Sequence, residues 1–131
     1  KVLPSVAELS IGLDRILLAI LDKKTVDDKE RGWKWLKLEK SMAPYDYSIF
    51  PLQKEEKLVA MAMKISEHLK EKGLKCNYSD SASIGKRYAK SDEIGVANAI
   101  TIDFQSLEDN TVTIRDRNTA GQRRVKWEEI A

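Results

Sequence analysis

Residues Tyr47–Tyr78 read Y-S-I-F-P-L-Q-K-E-E-K-L-V-A-M-A-M-K-I-S-E-H-L-K-E-K-G-L-K-C-N-Y, and the period of their apolar residues changes twice. The apolar run Tyr47–Leu52 predicts a strand, and the alternating residues Leu74–Tyr78 predict another. Between them, residues 54–72 show helical spacing, and Gly73 provides a C-terminal stop. The apolar positions of this helix are Leu58, Met61 or Ala62, Ile65 and Leu69. We interpret them as core residues.

The downstream sequence continues this alternation and then changes to strands alone. Residues 84–90 predict a short helix, because serine and glycine stand at its start. Residues 100–104, 112–114 and 123–130 alternate as strands, with a turn at residues 109–110. Strand and helix in alternation, followed by successive strands, predict an α/β fold with a mixed sheet flanked by helices.

The upstream sequence predicts an extended segment over Val2–Ser10 and a helix over Leu13–Leu21. Leu and Ile surround this helix, and such a helix is normally buried. We therefore expect it to pack against the following domain, a second copy or another chain. Residues 22–32 lack periodicity and predict a mobile linker. Trp33–Leu38 predicts a short extended piece anchored by its indoles, with a stacking platform for bases as the alternative.

Length and composition restrict the possible functions. The 131 residues suffice for one domain and a short appendage. Lys and Arg number 23 against 21 Asp and Glu, so a nucleic-acid footprint must be local. A single Cys76 and a single His68 exclude an internal disulfide and a CxxC site, and we expect no metal. The apolar run of residues 16–21 is too short to span a bilayer, so we expect a soluble protein without a membrane partner.

Ser83–Val96 reads S-I-G-K-R-Y-A-K-S-D-E-I-G-V and combines three cations with an aromatic between two glycines. Lys86, Arg87 and Lys90 can neutralise phosphates, and Tyr88 offers a face to an unstacked base. This pattern favours a nucleic-acid backbone as the ligand. A solvated helix face with ordinary Lys and Arg residues is the alternative.

The same stretch resembles the signature of the C-terminal anticodon-binding domain of glycyl-tRNA synthetases. The resemblance includes A-P-Y (residues 43–45), F-P-L (50–52), T-I-D-F (101–104) and D-N-T-V-T-I-R-D-R (109–117). In addition, P-S-V-A-E-L-S-I-G-L-D-R (4–15) resembles motif 3 of the class II catalytic domain of these enzymes. The resemblance implies a five-stranded mixed sheet flanked by helices, preceded by a strand-helix remnant of the catalytic domain.

The resemblance also implies a division into three parts. Residues 1–21 would be the motif 3 remnant, residues 22–42 a linker, and residues 43–131 the anticodon-binding domain, with its closing helix missing. We expect the chain to be a piece of a longer enzyme, because it starts at Lys1 within a catalytic motif.

For motif 3, the resemblance implies that Arg15 binds ATP phosphate and that Glu8 and Ser10 bind glycine. The parent enzyme would use ATP with Mg²⁺. We expect the chain alone to be inactive and to bind no cofactor, since motif 2 and the substrate pocket are absent. A purely structural role for residues 8–15 is the favoured alternative in the isolated chain.

For the anticodon-binding domain, the resemblance implies tRNA contacts by Lys86, Arg87, Tyr88, Lys90, Asp92, Glu93, Arg115, Arg117 and Arg123. Carboxylates at Asp92 and Glu93 would accept from the amino groups of the two cytosines that end glycine anticodons. Alternatively, Asp92 caps the next turn and Glu93 pairs with Arg87. A second cationic patch would consist of Arg115, Arg117, Arg123 and Arg124. Alternatively, Asp116 bridges these arginines.

The function implied is that of the C-terminal part of glycine–tRNA ligase, which charges tRNA(Gly) with glycine. The parent would be a homodimer in the cytoplasm, or a mitochondrial form. One alternative is a non-catalytic, synthetase-like accessory subunit of a mitochondrial DNA polymerase, and another is a protein-binding scaffold domain. The intact segments at residues 11–15 and 87–95 favour the enzyme, because a relative without ATP and anticodon contacts needs neither.

Overall fold

The computed structural model describes residues 2–130. Lys1, which begins the first predicted unit, and Ala131, which ends the last one, lie outside the described residues. Its strands are β1 (Thr25–Asp28), β2 (Trp33–Leu36), β3 (Tyr47–Pro51), β4 (Cys76–Tyr78), β5 (Asn98–Ile102), β6 (Thr111–Asp116) and β7 (Gln122–Lys126). Its α-helices are α1 (Leu13–Lys24), α2 (Glu56–Glu71), α3 (Ile84–Glu93) and α4 (Phe104–Asp109).

Five strands form one mixed sheet in the order β4-β3-β5-β6-β7. β3 is parallel to β4 and β5, whereas β6 is antiparallel to β5 and β7. Helix α2 connects β3 to β4, and α3 connects β4 to β5. Because β4 and β5 flank β3 on opposite sides, right-handed crossovers place α2 and α3 on opposite faces of the sheet. The predicted α/β fold with a five-stranded mixed sheet is confirmed.

The apolar core lies between the sheet and α2. The helix contributes Leu58, Ala62, Ile65 and Leu69, all fully buried, as the helical spacing predicted. Met61 packs at the margin of this cluster. Burying a Leu or Ile side chain is worth about 1.5–3 kcal/mol, so these positions fix α2 on its face of the sheet.

Helix α4 was not predicted, because Phe104 continues the apolar alternation of β5. The strand ends at Ile102, and Asp103 becomes the N-cap of α4. The Asp103 carboxylate accepts from Ser106 N at 3.0 Å, and Ser106 Oγ accepts from Asp103 N at 3.1 Å. This reciprocal capping box satisfies two backbone donors and starts the helix at Phe104.

The N-terminal segment differs from two expectations. Residues 2–10 form no strand, and α1 has no buried residue. Ile16 is 41% exposed and Leu18 is 69% exposed. Helix α1 therefore does not pack against the following domain, and its burial by a second copy or another chain stays a prediction. None of the helices in residues 2–130 is long and apolar enough to cross a membrane.

The residues predicted to be a mobile linker contain regular secondary structure, and whether they move stays untested by these contacts. Helix α1 extends to Lys24 and continues directly into β1, which pairs antiparallel with β2 to form a hairpin. Trp35 of this hairpin is 6% exposed, and two guanidinium groups contact its ring, at 5.1 Å for Arg31 and 5.5 Å for Arg117. Residues 22–32 lack a helical or strand period because much of this short hairpin is exposed. Trp35 is thus a structural anchor.

Gly95→Ala should destabilise the protein by about 2–4 kcal/mol. An alanine is strained in the left-handed backbone conformation of this position, and its Cβ would overpack against a neighbouring side chain. Gly95 has φ +82°, and an added Cβ would lie 2.6 Å from Leu38 Cδ1. Urea unfolding measures the loss. Gly73→Ala is the control, because Gly73 has φ +80° and no atom within 4 Å of an added Cβ. Equal losses for both variants would show that Leu38 does not constrain this position.

Candidate nucleic-acid interface

Helix α3 has polar side chains on its buried face. Arg87, Ser91 and Asp92 are 6%, 3% and 1% exposed. Buried polar groups require hydrogen-bond partners, and each of the three side chains makes at least one hydrogen bond. Ser91 Oγ lies 2.7 Å from Ser48 Oγ of β3. The buried face of α3 is therefore attached to the sheet by polar contacts.

Arg87 connects α3 to the carboxyl ends of β3 and β4. Its Nη1 donates to Pro51 O at 2.6 Å and Ser79 O at 3.3 Å, and its Nη2 donates to Leu52 O at 3.2 Å. The guanidinium also lies 5.7 Å from the Phe50 ring. These contacts commit Arg87 to the fold. The structure does not place it on an RNA-facing surface, nor does it pair Arg87 with Glu93.

Asp92 forms a buried, bidentate ion pair with Arg115 of β6, with distances of 2.9 and 3.0 Å. It also accepts from Trp33 Nε1 at 3.3 Å, and Arg31 Nη1 lies 3.7 Å away. The carboxylate therefore neither caps the next turn nor faces solvent where a cytosine could reach it. Asp92 and Arg115 join α3, β6 and the hairpin instead.

Arg117 is likewise used internally. It is 3% exposed and donates to Gly95 O at 2.6 Å and Leu38 O at 2.8 Å. Burial lowers the pKa of its guanidinium below the ordinary arginine value. Arg115 and Arg117 thus do not form an exposed patch with Arg123.

Arg123 and Arg124 point to opposite faces of the sheet, because successive residues of a strand alternate. Arg123 is exposed and pairs in register with Ile114, whose side chain belongs to the α2 face. Arg124 pairs with Thr113 on the α3 face. Asp116 does not bridge these arginines, since its Oδ1 accepts from Thr119 N at 2.9 Å.

Tyr88 is half-buried at the margin of α3. Its hydroxyl lies 2.6 Å from Thr101 Oγ1 of β5, and its ring meets Phe50 edge-on with centroids 5.8 Å apart. The Arg115 guanidinium lies 4.8 Å from the Tyr88 ring. The ring therefore packs within the domain, and its face is in contact with protein groups.

Lys86, Lys90 and Glu93 lie at i, i+4 and i+7 and are exposed. Neither lysine has an ion-pair or side-chain hydrogen-bond partner within residues 2–130. Helical geometry places the three on one outward stripe. Among the cations predicted to contact tRNA, Lys86 and Lys90 on this outward stripe of α3 and Arg123 on β7 are exposed in the described residues.

A second polar cluster lies at the carboxyl end of β5, and the sequence-based reasoning missed its acidic member. Asp103 and Arg124 form a bidentate pair at 2.7 and 3.0 Å, and Arg124 Nε donates to Thr111 Oγ1 at 2.8 Å. Hydrogen bonding from Arg124 lowers the pKa of Asp103 to about 2. The D-x-x-S spacing of residues 103–106 is a sequence signal for Asp103 as a helix cap. It does not indicate the pairing of Asp103 with Arg124.

Glu8, Ser10 and Arg15 lie in the exposed N-terminal segment and α1. None of them makes a side-chain hydrogen bond or ion pair within the described part of the chain. The structure does not bring them to the outward stripe or to the Asp103–Arg124 pair. Residues 2–130 also contain no group of three or more His, Cys, Asp or Glu side chains placed to hold a metal ion.

An open α/β sheet binds ligands outside the carboxyl ends of its strands, where the strand order reverses. Here that position lies between β3 and β5, next to the start of α3 and its exposed cations. These features define an α/β domain with an exposed cationic helix face beside the carboxyl edge of its sheet. The family model described as "Anticodon binding domain" matches residues 46–131, and the chain belongs to this family.

The relatives are more specific. The chain is 44% identical over 134 residues to a glycine–tRNA ligase from Archaeoglobus fulgidus, covering 99% of this chain and 23% of the relative. It is 42% identical over 130 residues to the ligase from Methanothermobacter thermautotrophicus, with coverage of 99% and 23%. The ligase from Mycoplasmopsis synoviae is 44% identical over 133 residues, with coverage of 99% and 29%. The resemblance to glycyl-tRNA synthetases is confirmed, and the chain spans roughly a quarter of these relatives' length.

Asp92→Ala should cost about 3–5 kcal/mol in the free energy of unfolding, because it leaves Arg115 buried and unpaired. Replacing both partners, as Asp92→Leu with Arg115→Met, should recover most of the loss. Urea unfolding measures both variants. The exposed Arg123→Ala control should change stability by less than about 0.5 kcal/mol. A loss at Asp92→Ala no larger than the control's would contradict a structural role for the pair.

The contribution of Asp103 to the free energy of unfolding should depend on pH in the acid range. Its folded pKa of about 2 lies below the ordinary 3.8, so the contribution is present above pH 3.8 and lost as pH falls through about 2. The stability difference between wild type and Asp103→Asn should therefore narrow over this interval. Unfolding curves at several pH values test this, and a constant difference would indicate an unshifted carboxyl group.

Proposed function

We propose that this chain recognises the anticodon of tRNA(Gly) as part of a glycine–tRNA ligase. The proposal is supported by membership of the anticodon-binding family and by identities of 42–44% to glycine–tRNA ligases across 99% of the chain. The observation that carries it is the outward stripe of α3, whose Lys86 and Lys90 have no protein partner within residues 2–130. Unpaired cations on a rigid helix suit a phosphate backbone.

In this proposal, Lys86 and Lys90 bind phosphates of the anticodon loop as point charges, because an ammonium lacks the fork of a guanidinium. Glu93, at the end of the same stripe, is available to accept from a base amine. Arg87, Arg115 and Asp92 act indirectly, since they hold α3 against the sheet. Tyr88 has the same supporting role through its contact with Thr101.

The complete enzyme would activate glycine with ATP and Mg²⁺ and act as a homodimer. Arg15 would then bind ATP phosphate, while Glu8 and Ser10 would bind glycine. Their exposure in residues 2–24 is compatible with a role that needs further protein around them. Neither a polymerase accessory subunit nor a protein scaffold has comparable support as the function of this chain. The glycine–tRNA ligases compared above are similar to the chain over 99% of its length.

Lys86→Ala and Lys90→Ala should each lower the salt slope of binding to a glycine anticodon stem-loop by about 1, because each removes one phosphate contact. Fluorescence anisotropy at several salt concentrations measures the slope. Lys57→Ala on the opposite helix, α2, is the matched control and should leave it unchanged. If all three variants behave alike, or if wild type does not prefer the glycine stem-loop over others, the proposed function is wrong.

A further inference from the structure

The β1–β2 hairpin contacts the last turn of α3 through a buried carboxylate. Trp33 Nε1 donates to Asp92 Oδ2 at 3.3 Å, and Arg31 Nη1 lies 3.7 Å from the same oxygen. Arg115 donates one hydrogen bond to each oxygen of Asp92. Because each carboxylate oxygen can accept two bonds, Arg115 alone would leave part of this buried charge unsatisfied. The hairpin therefore supplies donors that Asp92 needs.

A second connection lies where the chain leaves each element. Arg117 donates to Leu38 O, two residues after β2, at 2.8 Å, and to Gly95 O, two residues after α3, at 2.6 Å. The same guanidinium lies 5.5 Å from the Trp35 ring. Arg31 in turn donates to Arg117 O. The hairpin, the C-terminal end of α3 and the end of β6 are thus held together by shared guanidinium contacts.

These contacts bear on the cations proposed to bind RNA. Lys90 lies two residues before Asp92, within one turn of the same helix. Asp92 is on the buried side of α3, whereas Lys86 and Lys90 are on the outward stripe. Since a helical turn moves as a unit, the position of Asp92 determines where the outward stripe presents its ammonium groups.

The hairpin lies upstream of the part of the chain that the family model matches. That part begins at residue 46, and the paired strands of the hairpin occupy residues 25–36. The two faces of the hairpin differ. Trp35 on the inward face is buried, whereas Asp27 and Lys34 on the outward face are 65% and 69% exposed. The inward face is therefore committed to contacts with the domain.

We propose that Trp33 and Arg31 are positioning residues for RNA binding, because they hold Asp92 and thereby fix the outward stripe of α3. This inference rests on the proposed function. Lys86 and Lys90 contact the phosphates, whereas the two hairpin residues act through α3. The RNA-binding unit of this chain then begins at β1, upstream of the residues that the family model matches.

The test compares binding of the 131-residue chain and its variants to a glycine anticodon stem-loop at several salt concentrations. Trp33→Phe keeps an aromatic ring and removes the N–H that reaches Asp92. This variant should weaken binding roughly 3-fold, and Trp33→Phe with Arg31→Ala roughly 10-fold, because α3 must then be ordered on binding. The salt slope should stay at the wild-type value, since no phosphate contact is lost. Lys86→Ala, by contrast, should lower the slope.

Lys34→Ala is the matched control, because Lys34 lies on the outward face of the same hairpin and pairs with Asp27. It should leave both the affinity and the salt slope unchanged. Urea unfolding of each variant shows whether it is folded under the binding conditions. If the double variant is unfolded, Trp33→Phe alone decides the outcome.

The possible results separate the inference from the proposed function. Wild-type affinity in the folded Trp33 variants would overturn the inference and leave the proposed function intact. A lower salt slope in Lys34→Ala or Trp33→Phe would also overturn it, since the hairpin would then contact RNA directly. A wild-type chain that does not bind the stem-loop would overturn both.

Discussion

The buried ion pair between Asp92 and Arg115 is the interaction on which the remaining structure depends. Asp92 is 1% exposed, and a buried carboxylate costs several kcal/mol unless it is fully paired. These contacts join three elements, since Arg115 belongs to β6, Trp33 to the hairpin and Asp92 to α3. The position of α3 over the sheet is therefore fixed by the need to neutralise one charge, and apolar packing contributes mainly on the opposite face.

This arrangement divides the charged residues of α3 between two tasks. The inward residues Arg87 and Asp92 bind carbonyl oxygens and a guanidinium, and so fix the helix. The outward residues Lys86 and Lys90 have no protein partners among residues 2–130 and remain available. Because the helix is already held rigidly, a ligand would not need to order it, which lowers the entropic cost of binding.

The N-terminal third of the chain takes part in the same network. Helix α1 continues into β1 without a break, and the hairpin then contacts α3 through Arg31 and Trp33, both of which reach Asp92. Arg31 also donates to Arg117 O and to Asn118 O. In the proposed enzyme, the helix that carries Arg15 is thus joined to the anticodon-binding domain through the paired strands β1 and β2.

The sequence alone determined the α/β fold, the core face of α2 and the resemblance to an anticodon-binding domain, because helical and strand periods are local properties. Tertiary structure decided which charges lie inside. Asp92 and Arg115 are 23 positions apart, and Arg31 and Arg117 are 86 apart, so no local pattern reveals their contacts. It also decided that Asp103 meets Arg124, since strand register across β5, β6 and β7 sets that distance. A charged residue's role depends on its partner, and the partner is known only once the chain has folded.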